Sequence, residues 1–224
     1  MIVRNALPAV LFLLVCVVPA SAMAPVPPAF AHLEATWNGI TDYTMTIEAH
    51  EVLGQDSADS ELHYAFKKPN RARMDVLKGN NSGSTVYFEP PNKLTAYNRA
   101  FSVFKKHGEV REKDLTSLRG NSILNPNIGD VIACWSAHSD LMRQTDGPLV
   151  DGQQTDLVSL PVAKIACPDD AAADRGVVTF DEIYIARDSG LIVMRKRYAG
   201  REVLERWEIT DYKLNTGLTD DDLT

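Results

Sequence analysis

Hydrophobic and polar positions alternate along Glu61 to Phe66: Leu62, Tyr64 and Phe66 share one face, His63 and Ala65 the other. A period of two is the pattern of a strand with one buried face. Lys67-Lys68-Pro69-Asn70 breaks the run, because proline lacks an amide donor and turns the residue before it away from helix. A second alternating run follows, with Ala72, Met74 and Val76 opposite Arg71, Arg73 and Asp75. The pattern predicts two strands with one apolar face, joined through a basic corner.

The same rhythm extends over most of the chain. Tyr43 to Leu53 predicts a strand with Tyr43, Met45, Ile47 and Ala49 inward and Thr44, Thr46, Glu48 and His50 outward. Gly54 to Ser60 is polar and predicts a turn. That turn length would set His50 opposite His63, a weak metal pair with no third ligand evident, so both histidines are expected to be solvated. Thr85 to Phe88, Leu94 to Tyr97 and Phe101 to Lys105 predict short strands between the turns at Lys78 to Ser84 and Pro90-Pro91-Asn92. Glu109 to Asn127 has no period and predicts a loop or lid. In the last third, Thr155 to Pro161, Val177 to Ala186, Leu191 to Tyr198 and Val203 to Leu214 alternate again, with Gly190 and Gly200 in the turns. Two stretches have helical spacing instead: Ala29 to Ile40, carrying Phe30, Leu33, Trp37 and Ile40, and Ile128 to Met142, carrying Val131, Ile132, Trp135 and Met142. Nine or ten strands with two helices make an α+β chain that is mainly β, an antiparallel meander. Trp135 is expected either to anchor the core or to plug the open side of a curved sheet.

Composition narrows the function. The chain has 224 residues, 45% hydrophobic and 24% charged, and a formal net charge of −7. This is globular composition, with enough chain for one core. There is no basic field to neutralise phosphates, so no nucleic-acid partner is expected. Asp220-Asp221-Asp222 is the one acidic run and is expected to be a solvated tail. At the start, Arg4, the apolar run Ala6 to Val18 and the small residues Pro19-Ala20-Ser21-Ala22 predict a secretory signal peptide over 1–22, cut after Ala22, leaving 23–224 as a single domain. The apolar run is short for a membrane-spanning helix. Cys16 lies inside it after the bulky Val15, a poor flank for lipidation. Removing it leaves Cys134 and Cys167, an even pair in an oxidising compartment. A bridge there would stabilise by about 3–4 kcal/mol, and two buried thiols are the alternative; two cysteines are half a zinc set, so no metal site is expected. No nucleophile elbow, zinc-protease, phosphate-loop or dinucleotide motif is present, so neither enzymatic activity nor a cofactor is expected.

Three segments resemble the LolA-like superfamily of periplasmic lipoprotein-sorting proteins. Phe66-Lys67-Lys68-Pro69-Asn70-Arg71-Ala72-Arg73 is similar to that group's basic Pro-Asn corner. Ile183 to Leu191, followed by Arg195, is similar to its late hairpin. Asp211 to Leu218 is similar to its closing strand and exit. The resemblance implies a curved antiparallel sheet, an unclosed half-barrel, with helices covering the open side and a cavity for the acyl chains of a lipid or lipoprotein. Met45, Ile47, Leu62, Tyr64, Phe66, Met74, Val76 and Trp135 are the candidate apolar wall, which could equally be an ordinary core. Burial of an acyl chain gains about 0.8 kcal/mol per methylene. By the same resemblance Lys68 holds the place of the basic residue that ties the lid shut. Lysine lacks the planar fork of the carrier's arginine, which puts the opening cycle in doubt. The expected protein is a periplasmic, monomeric carrier, with a membrane-associated protein as a further partner. The alternative is a protein-interaction or envelope-sensor module on the same fold.

Overall fold

The computed structural model describes residues 25–98, 105–109, 116–162, 165 and 177–224. The signal-peptide expectation, Cys16, Cys167 and most of the predicted strand at Phe101 lie outside them. Helix α1 is Pro28–Asn38, with proline opening its first turn as the sequence predicts. Strands β1 (Asp42–Leu53), β2 (Asp56–Lys67), β3 (Arg71–Lys78), β4 (Ser84–Glu89), β5 (Lys93–Asn98) and β6 (Lys105–Glu109) follow. Helix α2 (Ile128–Ser136) leads into β7 (Arg143–Val150), β8 (Gln153–Leu160), β9 (Phe180–Ala186), β10 (Ile192–Ala199) and β11 (Glu202–Leu214).

All eleven strands form one antiparallel sheet in the order β6-β5-β4-β3-β2-β1-β11-β10-β9-β8-β7. The seam is β1 against β11, where the two meanders join. β6 and β7 are its two edges and do not pair, so the half-barrel is unclosed. The inward residues run across the strands in register: Met45 faces Tyr64, Ile47 faces Leu62, Tyr64 faces Met74, and Met74 faces Val86. Both helices lie over one end of the inner face. Phe30 of α1 stacks on Trp135 of α2 at 6.0 Å, and Glu34 accepts a 2.5 Å bond from Ser136. The helices approach so closely that a Cβ on Gly129 would stand 2.6 Å from the Trp37 ring.

Four sequence expectations change. The β1–β2 connection is a tight hairpin, since Leu53 already pairs with Asp56. Gly54, at φ +66°, makes that turn possible. β2 therefore starts inside the polar stretch read as a turn, where both faces are wet and carry no apolar period. The register places His50 opposite Asp59 and His63 opposite Thr46, so the two histidines do not face each other. α2 ends at Ser136, and the residues beyond Met142 form β7, an edge strand that tolerates Gly147 and Pro148 because its outer side needs no ladder bonds. Finally, the acidic run keeps its carboxylates exposed, as expected, but is docked rather than free. Asp220 lies 3.0 Å from Lys67 Nζ and 3.6 Å from Arg71, the Asp222 carbonyl accepts from Arg73, and Leu223 is buried. The basic corner is what holds it.

Candidate functional site

The half-barrel has two dissimilar ends. At the first, the β2–β3 corner, the β9–β10 turn and the exit of β11 converge, so the three segments of the family resemblance meet in space. Asp42, at the start of β1, is buried and accepts from the Thr216 and Gly217 amides and from the Thr41 and Thr216 hydroxyls. Burial alone would raise its carboxyl, but these hydrogen bonds outweigh it and hold the group below the ordinary carboxylate range. Asn215 accepts from the Thr41 amide at 2.7 Å and donates to the Gly39 carbonyl at 3.0 Å, fixing the end of α1. Gly190, at φ +68°, lies directly under α1, where a Cβ would meet Thr36 at 2.5 Å. Lys68 closes this end. Its Nζ donates to the Trp37 carbonyl at 2.7 Å and sits 4.0 Å over the Trp37 ring, and burial lowers its ammonium.

The interior at this end is filled. Tyr43 lies 5.4 Å from Phe66 and 6.0 Å from Tyr64, and Trp37 lies 6.0 Å from Phe66. The Tyr43 hydroxyl accepts from the Ile128 amide at the head of α2. Met45, Tyr64, Phe66 and Trp135 all belong to this packed cluster, each at most 1% exposed. Tyr64 carries a liability: its hydroxyl has no hydrogen-bond partner among the described residues. An unsatisfied buried hydroxyl costs about 1–3 kcal/mol. Tyr64→Phe is therefore expected to be neutral or to stabilise by about 1 kcal/mol in urea titrations; a loss of similar size would mean that the hydroxyl is used.

The second end, toward the β1–β2 hairpin, holds a cavity of about 500 Å³. Its floor is Ile47, Leu62, Met74, Val76, Val86 and Ala96, with Trp207 of β11 on one side. So four of the eight predicted wall residues, Ile47, Leu62, Met74 and Val76, border the cavity, Ile47 while fully buried in the core, and the other four lie away from it in the core. The division follows position along the strands: residues level with the two helices face only packed side chains, and those beyond them border the cavity.

The segment read as a loop or lid forms the cover. Thr116, Ser117, Leu118, Asn121, Ser122 and Ile123 all line the cavity. Glu51 fastens them. It is 4% exposed at the end of β1 and accepts from Ser117 Oγ at 2.6 Å, the Arg119 amide at 3.1 Å and Asn121 Nδ2 at 2.7 Å. Arg119 in turn donates to the Val52 carbonyl. A buried carboxylate needs such donors. The sequence signal was an inward-phase glutamate continuing Ile47 and Ala49, where the strand pattern calls for an apolar residue. A second buried ionic group crosses the other half of the sheet. Arg195 forks onto Asp181 at 3.0 and 2.5 Å, and its guanidinium lies 5.7 Å from the Trp207 ring. Cys134 is buried on α2.

No family model and no curated protein matches this chain. Among solved structures, it is similar to an uncharacterized conserved protein of Thermus thermophilus, with 9% identity, TM-score 0.53, and 87% of this chain and 90% of that one covered. It is also similar to a LolA superfamily protein of Nitrosomonas europaea, with 8% identity, TM-score 0.41 and coverages of 90% and 98%. The Mycobacterium tuberculosis lipoprotein LppX is a third such structure, with 12% identity, TM-score 0.43 and coverages of 85% and 97%. At these identities the likeness is one of fold alone. That fold is an unclosed antiparallel half-barrel with its helices on the inner side.

Proposed function

We propose that this protein is an exported carrier that holds one apolar chain, of a lipid or of a lipoprotein acyl group, in the half-barrel cavity, without catalysis. The observation that carries this reading is the open, apolar-floored space beyond the aromatic plug. Its volume lies within the range of about 300–1,000 Å³ usual for small-molecule sites. At about 30 Å³ per water-sized group it has room for roughly seventeen such groups, one chain rather than several. Segment 1–22 serves as the export signal, and 23–224 works as a single periplasmic unit. Lys68 acts as the fastener of α1, and it does so at the packed end, away from the cavity. Native mass spectrometry of the protein recovered from its own periplasm is expected to show a stoichiometric bound lipid. An empty protein that also refuses a fluorescent fatty acid would overturn the reading.

In that oxidising compartment Cys134 and Cys167 form a bridge that ties α2 to the segment after β8. Peptide mapping without reductant is expected to recover the two peptides as one linked species. Recovery of two alkylated thiols would rule the bridge out.

A second reading is a protein-binding envelope module. The feature that favours it is the uncovered edge strand β7, where Leu149 is 69% exposed. Proline and glycine in that strand blunt its ability to pair with another chain, so the cavity remains the better supported site.

A further inference from the structure

We infer that the cavity selects an amphiphile with a single acyl chain and an uncharged, hydroxylated head, such as a monoacylglycerol, over a free fatty acid or a cationic lipid. This rests on the carrier reading of the same cavity. The floor accepts only the chain. Toward the mouth, where β2 begins, β3 turns into β4 and β5 ends, the lining becomes Ser60, Asn80, Asn81, Ser84 and Asn98. Serine and asparagine each offer both a donor and an acceptor, as a glycerol or sugar hydroxyl does. That pairing suits a neutral polar head and gives no preference to an ion.

The charges around the cavity argue the same way. An anionic head would meet the carboxylates of Glu51 and Asp59. Lys106 is the cation among the described lining residues, and it already has an interaction partner. A cationic head gains little from these carboxylates, because Glu51 is buried behind its donors and Asp59 is solvent-exposed and screened. Glu51 holds three donors, and Asp59 Oδ1 lies 2.7 Å from His50 Nδ1. Among the described residues, two lining residues also keep a buried polar atom without a hydrogen-bond partner: Asn121 Oδ1, an acceptor, and Trp207 Nε1, a donor. The Asn121 amide cannot simply flip, because its Nδ2 is committed to Glu51. A carboxylate or phosphate head without a proton adds repulsion with Glu51.

The test titrates the full mature protein, stripped of bound lipid, with monolauroylglycerol, laurate and lauryltrimethylammonium, three probes with the same chain, read by native mass spectrometry. The neutral probe is expected to bind at least about tenfold more tightly than either ion. Laurate or the ammonium binding as tightly as the glycerol ester would overturn the head selectivity while leaving the carrier reading intact. Failure of all three to bind would overturn both. The double variant Ser60→Ala with Asn80→Ala sits at partly and fully exposed positions, so it leaves the core untouched. It is expected to reduce the preference to near parity by weakening the glycerol ester. A preference that survives it would show that this rim does not read the head.

Discussion

Phe66→Ala is expected to lower the stability of the protein by about 3–5 kcal/mol, the usual result of emptying a fully buried aromatic site, and to leave acyl-chain affinity in the surviving folded fraction within about threefold of the parent. Phe66 has no exposed surface and packs against Trp37, Tyr43 and Tyr64. It does not line the cavity. Its ring also sits beneath the point where Lys68 fastens α1 through Trp37, so the hole would loosen the helix cover as well as the sheet. Chemical denaturation gives the stability, and titration with a fluorescent fatty acid below the transition gives the affinity. A large loss of affinity with stability retained would mean that Phe66 is a ligand wall after all and that the aromatic plug opens.

This prediction separates two readings that the amino-acid sequence could not separate. Tyr64 and Leu62 share a strand and an inward face, yet one is fully buried core and the other, partly buried, lines the cavity. What divides them is how far along the half-barrel the two helices reach. That depends on the crossing of α1 and α2, set by the contact of Gly129 with Trp37 and the stack of Phe30 on Trp135. Neither contact leaves a periodic signal. The strands themselves were legible wherever one face is dry, as in Tyr43 to Ala49 and Glu61 to Val76. They were illegible where both faces are wet, as at the start of β2, or where an edge strand needs no apolar partner, as in β7. The docked tail was hidden for a different reason. Asp220 to Asp222 looks like any solvated acidic run until the fold brings Lys67, Arg71 and Arg73 beneath it. The motifs of the family resemblance were all legible, and apart from Arg195 they serve the packed end. The cavity is lined by residues that belong to no motif, and this is why the resemblance led to the fold more directly than to the cargo.

Met74→Asp should have the largest effect on binding. Met74 is half-buried on β3, facing Tyr64 on one side and Val86 on the other, with its side chain on the cavity floor. In the empty protein water in the cavity can hydrate the new carboxylate, so the stability loss is expected to stay near about 1 kcal/mol. A bound acyl chain would have to strip that water from the charge without offering a hydrogen bond. The cost of desolvating an unpaired polar or charged group is about 3 kcal/mol or more, at least about a hundredfold in affinity. Met74→Leu keeps volume and apolarity and is expected to bind within about threefold of the parent. The measurement is the fraction of protein carrying lipid after expression and export, read by native mass spectrometry beside the circular dichroism of each variant. If Met74→Asp folds and still carries its lipid, the chain does not lie on this floor, and the apolar space between β1 and β5 is no longer the site.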